Sequence, residues 1–303
     1  MQAETYYSNG KLLLTGEYVV LDGALSLAIP TAQGQYLEVR KTNESKINWK
    51  SLDYTNKLWF EATLTLQDII AGAPNMSDDK SIRLFEILQT AKQLNPNFLK
   101  DGYHVETKLT FPQSWGLGSS STLINNIANW AKVDAYQLLA KTFGGSGYDI
   151  ACAENNKPIT YQLSNNKHRE IKEVTFNPTF KGALYFVYLN KKQNSREGIA
   201  QYKSNKTNKT KAIKEISEIT SSLINCNNLK EFNILLDNHE HLISKIIHQS
   251  PVKERLFSDF KGSIKSLGAW GGDFVLATSE GNPRSYFNNK GYDTIIPYTE
   301  MIK

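Results

Sequence analysis

One segment constrains this chain more than any other: Phe111-Pro112-Gln113-Ser114-Trp115-Gly116-Leu117-Gly118-Ser119-Ser120-Ser121-Thr122. Upstream of it, Tyr103, Val105, Thr107 and Leu109 alternate with polar neighbours, which predicts a strand. Downstream, the pattern over residues 122–131 predicts a helix. Two glycines and three serines therefore stand where a strand gives way to a helix. Glycine lets backbone approach a ligand closely, and a helix N-terminus offers unpaired N–H groups and partial positive charge. That combination suits an anion, phosphate above all. The hydroxyls add donors and could help hold a magnesium ion. The same residues also spell a plain serine cap after a glycine turn, and the segment alone leaves both readings open.

The surrounding sequence narrows the class. At 303 residues the chain has room for one large or two ordinary domains, and its 40% hydrophobic content is enough for a substantial core. The net charge of +5 suits an anionic small substrate. The lysines crowded into residues 191–214 stand among Asn and Thr without interleaved aromatics, so they read as a solvated face and not as a nucleic-acid surface. Cys152 and Cys226 lack the paired spacing of a zinc site or disulfide framework, and a reducing cytoplasm is expected. The first residues show no signal-peptide pattern. No apolar run reaches the ~18–20 residues of a bilayer span, so no membrane partner is expected and the sequon Asn205-Lys206-Thr207 is read as inconsequential.

Periodicity predicts short strands over residues 11–14 and 18–21, broken by Gly10, Gly16 and Gly23, and extended segments over 35–41 and 58–66. Helices are predicted over 80–95, with Asp78 or Asp79 at its start, and over 134–142. Strands are expected over 158–163 and 182–189, polar helices over 211–224 and 229–247, and an apolar strand over 274–278. The mixture gives an α+β class with two layers per domain, divided near residue 180 into parts 1–180 and 181–303.

Glycine-rich turns recur at 116–118, 144–147 and 268–272, as a cleft for a polyphosphate and its acceptor would need. No G-x-x-x-x-G-K-[ST] occurs, nor a dinucleotide G-x-G-x-x-G in its βαβ context, nor H-R-D, D-F-G or G-x-S-x-G. His239-Glu240-His241 lies on a predicted polar helix where i and i+2 diverge, so it reads as surface. Asp149 closes the run Phe143-Gly144-Gly145-Ser146-Gly147-Tyr148, where an extended segment is expected to begin, and its carboxylate could take a proton from an attacking hydroxyl. Lys11 could neutralise a phosphate or lower a neighbouring pKa. Taken singly, each is also an ordinary turn aspartate or surface lysine.

Together these pieces resemble the GHMP kinase family, named for galactokinase, homoserine kinase, mevalonate kinase and phosphomevalonate kinase. Its phosphate motif stands as Pro112 followed by Gly116-Leu117-Gly118-Ser119-Ser120-Ser121. The first motif stands as Gly10-Lys11-Leu12-Leu13-Leu14-Thr15-Gly16-Glu17-Tyr18-Val19-Val20-Leu21-Asp22-Gly23, and the third as Lys265-Ser266-Leu267-Gly268-Ala269-Trp270-Gly271-Gly272. The three follow the family order over nearly the whole chain. The resemblance implies the two-domain GHMP kinase fold, with an N-terminal ribosomal-protein-like α+β domain and a C-terminal ferredoxin-like domain. It implies ATP wrapped by residues 116–121, Mg²⁺ touched by Ser120, and Asp149 and Lys11 as the catalytic pair. It further implies acceptor contacts from Glu17, Tyr18, Ser146 and Gly147. Gly268, Ala269, Gly271 and Gly272 would close over the reacting phosphate.

The motif details are similar to the isoprenoid-precursor branch, which implies mevalonate or 5-phosphomevalonate as acceptor, and the Gly16-Glu17-Tyr18 run leans to the phosphorylated one. A sugar kinase of the same family, diphosphomevalonate decarboxylase and a non-catalytic binding relative are the other readings; the family includes monomers and dimers. The chain departs from the family pattern at three places. Leu138 stands where mevalonate kinases have a metal-binding Glu, Asn155-Asn156-Lys157-Pro158 replaces a Gly-Gly, and Trp270 and Asp273 stand where small residues are usual.

Overall fold

The computed structural model describes residues 3–74, 76–164, 168–205 and 207–303; Lys206, inside the lysine-rich segment and its sequon, lies outside them. Strand β1 (Glu4–Leu13) is followed by a 3-10 turn (Val19–Asp22) and strands β2 (Ser26–Thr42), β3 (Lys46–Leu52) and β4 (Leu58–Thr65). Helices α1 (Leu66–Ala71) and α2 (Asp79–Leu94) precede β5 (Gly102–Leu109). Three helices come next: α3 (Ser119–Ala131), α4 (Ala135–Thr142) and α5 (Tyr148–Glu154). They are followed by β6 (Ile159–Leu163), β7 (Arg169–Glu173) and β8 (Leu184–Tyr188). Helices α6 (Ser195–Ser204), α7 (Thr210–Ile224), α8 (Leu229–Ile247) and α9 (Val252–Leu256) lead to β9 (Ile264–Ser266) and β10 (Phe274–Thr278). The chain ends in α10 (Arg284–Asn288), β11 (Ile295–Pro297) and α11 (Tyr298–Met301).

The chain forms two compact units, neither of them one continuous stretch. The first comprises Gly10 and the residues before it, Gln33–Gln113 and Leu117–Glu154. In it β3 runs antiparallel to β4 and parallel to β5, and β5 pairs antiparallel with β2 from Gln35 opposite Leu109 to Thr42 opposite Gly102. Alternation places Leu37, Val39, Ile47, Trp49 and Val105 in one core with Leu84, Leu88, Ile124, Ile127 and Leu138 from the helices. The starts of α2 and α4 are where the sequence places them, whereas α3 begins at Ser119, three residues before the expected start. Asp78 accepts from the Ser81 N–H at 2.9 Å, and Asp134 accepts from the N–H groups of Tyr136 and Gln137.

The second unit comprises Lys11–Ala32, Ser114–Gly116 and Asn155–Lys303. The start of β2 pairs antiparallel with β6, Ser26 opposite Tyr161, and β6 pairs with β7. A separate antiparallel sheet has the order β11-β8-β10-β9. All five residues of β10 are buried, which is why this strand reads as an unbroken apolar run.

Two local expectations are corrected. Residues 18–21 are not a strand: Gly16, Tyr18 and Gly23 take φ of 90°, 63° and 88°, which turns the chain and leaves Val19 and Val20 buried in a 3-10 turn. The segment at Asp149 is not extended but helical, because the Ile150 and Ala151 N–H groups both close on the Gly147 carbonyl at 3.1 Å.

Candidate functional site

In the first unit, α3 starts differently from the capped helices. Its N-cap is Gly118, at φ 91°, and no side chain caps its first turn, whereas Thr65, Asp78, Asp134 and Asn228 cap α1, α2, α4 and α8. The plain serine-cap reading is thereby set aside. Ser121 Oγ turns back to donate to the Gly118 carbonyl at 2.8 Å, and Thr122 Oγ1 donates to Gln35 Oε1 at 2.7 Å. Ser119 is half-buried and Ser120 exposed. The start of this thirteen-residue helix is thus left without a side-chain cap at its positive end, with the exposed Ser120 beside it. Helix α5 packs on α3 in the same unit and carries Asp149, half-buried, in its first turn. Gly147 precedes it at φ 93°, and Ser146, buried, accepts weakly from the Tyr148 N–H at 3.5 Å. Leu138 is wholly buried in the core and supplies no oxygen to a metal.

In the second unit, the half-buried Lys11 donates from Nζ to the Gly116 carbonyl at 3.2 Å. Residues 268–273 form a strained turn in which Gly268, Trp270, Gly271 and Asp273 all have positive φ, two of them non-glycine at 54°. The buried Trp270 Nε1–H has no hydrogen-bond partner there. The Asp273 carboxylate rests directly on Gly116: a Cβ at that glycine would lie 2.4 Å from Asp273 Cγ. Burial raises the Asp273 carboxyl above its ordinary value, opposed by the Gln193 N–H and by the charges of Lys11 and Lys192. Tyr18 donates its hydroxyl to the Ala269 carbonyl at 2.8 Å, joining the first motif to this turn. Its ring stacks on Tyr202, and burial followed by the Glu17 charge pushes its hydroxyl up to about 12. Tyr18 also walls a cavity of 330 Å³ with Gln201, Asn205 and His248, and among the described residues no Lys or Arg lines it.

Glu17 lies inside the protein. Lys265 Nζ, also fully buried, reaches Glu17 Oε1 at 2.5 Å, Glu240 Oε1 at 3.5 Å and the Ser266 carbonyl at 2.8 Å. Ser266 Oγ donates to Glu240 Oε2 at 2.9 Å. The Gly16 N–H donates to His239 Nε2 at 2.9 Å, so that nitrogen is an acceptor and the imidazole neutral although Glu17 Oε2 lies 3.5 Å away. Desolvation raises Glu17 and Glu240 to about 7 each against the pull of Lys265, and desolvation with the Lys265 charge holds His239 well below its usual value. His239 and Glu240 are therefore not surface residues as expected; only His241 faces solvent. Their signal was present in the spacing of Phe232, Leu236, His239, Ile243 and Ile246, one apolar helix face.

Among the described residues no group of three or more His, Cys, Asp and Glu is placed to hold a metal, and no helix is long and apolar enough to cross a membrane. Cys152 and Cys226 are buried and unpaired with each other.

No protein-family model and no curated protein matches the chain. Solved structures do. The mevalonate kinase of Methanococcus jannaschii superposes with a TM-score of 0.73 at 19% identity, covering 97% of each chain. The phosphomevalonate kinase of Streptococcus pneumoniae, in complex with phosphomevalonate and AMPPNP, gives 0.70 at 16% identity over 95% of each chain. The galactokinase of Lactococcus lactis, complexed with galactose, gives 0.66 at 13% identity over 95% of this chain and 88% of that one. The chain has the two-domain GHMP kinase fold. Within that fold it resembles mevalonate and phosphomevalonate kinases along essentially its full length.

Proposed function

We propose that this protein is an ATP- and Mg²⁺-dependent small-molecule kinase of the GHMP family, with mevalonate or 5-phosphomevalonate as acceptor. The reading rests on one observation: a helix start at Gly118 to Ser121 that no side chain caps, with Asp149 on the helix packed beside it. Backbone amides at such a start are suited to phosphate oxygens, and phosphoryl transfer needs positioning and charge neutralisation more than covalent chemistry. Mg²⁺ takes few protein ligands and keeps waters and phosphate oxygens, so the exposed Ser120 hydroxyl fits it and Leu138 does not. When bound, the ion would neutralise charge on the β- and γ-phosphates.

In the proposed reaction Asp149 takes the proton of the acceptor hydroxyl. The hydroxyl oxygen forms its bond to the γ-phosphorus as the bond to the β-bridging oxygen breaks, and ADP leaves. Lys11, held at Gly116, offsets negative charge. Ser146, Gly147 and Tyr18 would contact the acceptor, and residues 268–272 the phosphate under transfer. Glu17, enclosed with Lys265, would act on the acceptor only through Tyr18. Residues 1–180 would form the ATP-binding part and 181–303 its companion, and the two buried thiols suit a cytoplasmic setting.

The test is ADP release over a panel of mevalonate, phosphomevalonate, galactose and homoserine. Turnover of the first or second supports the reading, turnover of galactose moves the protein to the sugar kinases of this fold, and nucleotide binding without any turnover sinks the kinase assignment. Asp149→Asn is expected to lower turnover by roughly 10²–10⁴-fold with nucleotide affinity kept. Normal turnover in that variant would remove Asp149 from the mechanism.

A further inference from the structure

Tyr18 sits in a backbone conformation that its bulky side chain disfavours. Its φ is 63° and its ψ −51°, and the Val19 N–H closes on the Glu17 carbonyl at 2.7 Å, which makes a γ-turn of the rare positive-φ form. Such a strained turn persists only where its surroundings impose it. Here the three residues that lead into it are each held by a different element of the second unit. Thr15 Oγ1 shares a hydrogen bond of 2.8 Å with Thr220 Oγ1 of α7. The Gly16 N–H donates to His239 Nε2 of α8 at 2.9 Å. Glu17 Oε1 accepts from Lys265 Nζ of β9 at 2.5 Å. Thr220, His239 and Lys265 are all buried, and the reaction proposed above uses none of them.

Each of these holds is a polar bond inside the protein, so losing it leaves a buried donor or acceptor unsatisfied and not merely a contact missing. Beyond the turn, the Tyr18 hydroxyl donates to the Ala269 carbonyl at 2.8 Å, so the strained backbone is what delivers the phenol to residues 268–272. We propose that Thr220, His239 and Lys265 are positioning residues: by holding Thr15, Gly16 and Glu17 they keep Tyr18 in its strained turn, and so set the affinity for the acceptor without touching it. The proposal rests on the kinase reading above, in which Tyr18 contacts the acceptor. With one hold removed, a share of the molecules relaxes at Tyr18. Acceptor affinity then falls in proportion to the share that stays competent, whereas saturating acceptor draws the population back. KM for the acceptor thus rises while kcat changes little.

The measurement is steady-state kinetics of the full chain with ATP and 5-phosphomevalonate, or with mevalonate if the wild-type protein turns over only that. His239→Leu is expected to raise the acceptor KM about tenfold, with kcat and the ATP KM each within about twofold of wild type. His239→Gln, whose amide oxygen can accept from the Gly16 N–H in place of Nε2, should return the acceptor KM to within about twofold of wild type. Where His239→Leu does not fold, Thr220→Val, which removes the hydroxyl at nearly constant shape, carries the test with an expected rise of about fivefold. Three results in folded variants overturn the positioning role and leave the kinase reading standing: an unchanged acceptor KM, acceptor and ATP KM values raised alike, or a Gln variant as impaired as the Leu variant. A wild-type protein that turns over neither acceptor overturns that reading and this proposal with it.

Discussion

A lysine with no exposed side-chain surface must have its charge answered inside the protein, and Lys265 has Glu17 and Glu240 to do so. Two carboxylates around one ammonium would leave an excess negative charge in the interior, and burial answers by raising both acids to about 7. The sign of the pH dependence follows. An unfolded glutamate titrates near 4.5, so between there and 7 the folded state holds more protons, and the stability these groups contribute is complete below 4.5 and lost as pH rises through 7. His239 runs the other way: neutral in the fold, it contributes above 6.5 and loses that contribution as pH falls below it. Glu240→Gln should flatten the decline between pH 4.5 and 7, read from denaturation midpoints across that range; an unchanged slope would remove Glu240 from the titration. The helix-face position of His239 was legible from its apolar neighbours. The pairing of Glu240 with Lys265 was not, since a contact over 25 residues depends on how α8 meets β9.

At the level of elements, two helix starts in the same unit have opposite designs. The α4 start is closed by Asp134, and Asp134→Ala should cost about 1 kcal/mol without touching nucleotide affinity. The α3 start is open, and Gly118→Ala strains a left-handed residue for roughly 1–2 kcal/mol while also weakening nucleotide binding. Denaturation midpoints and nucleotide titrations on both variants check the pair; equal effects on binding would deny α3 its ligand. Capped starts were legible because Asp78 and Asp134 announce themselves in the sequence. Residues 18–21 misled because β-branched and aromatic side chains read as strand, whereas the flanking left-handed residues decide the turn. Elements such as β9 and β11, three residues each, carry too little periodicity to be read at all.

At the scale of the molecule, the three glycine motifs in their order were enough to anticipate the fold, but not that the chain passes repeatedly between its two units. The second unit needs Ser26 beside Tyr161 in the sheet and Glu17 beside Lys265 in the core, yet both N-terminal partners lie more than a hundred residues upstream. Residues 155–303 expressed alone should therefore lack a cooperative urea transition by circular dichroism, since β6 loses a neighbour and Lys265 a counter-charge. A sharp transition in that fragment would show the N-terminal strands to be dispensable. The same interleaving sets an order on biosynthesis. Every residue of the first unit has been polymerised once Glu154 is added. The second waits on Thr31 meeting Ile302 and Pro30 meeting Lys303, so its early strands must be kept from aggregating until those late residues have been added. Slow translation through the lysine- and asparagine-rich stretch would lengthen that exposure, and a chaperone that shelters residues 11–32 would shorten it.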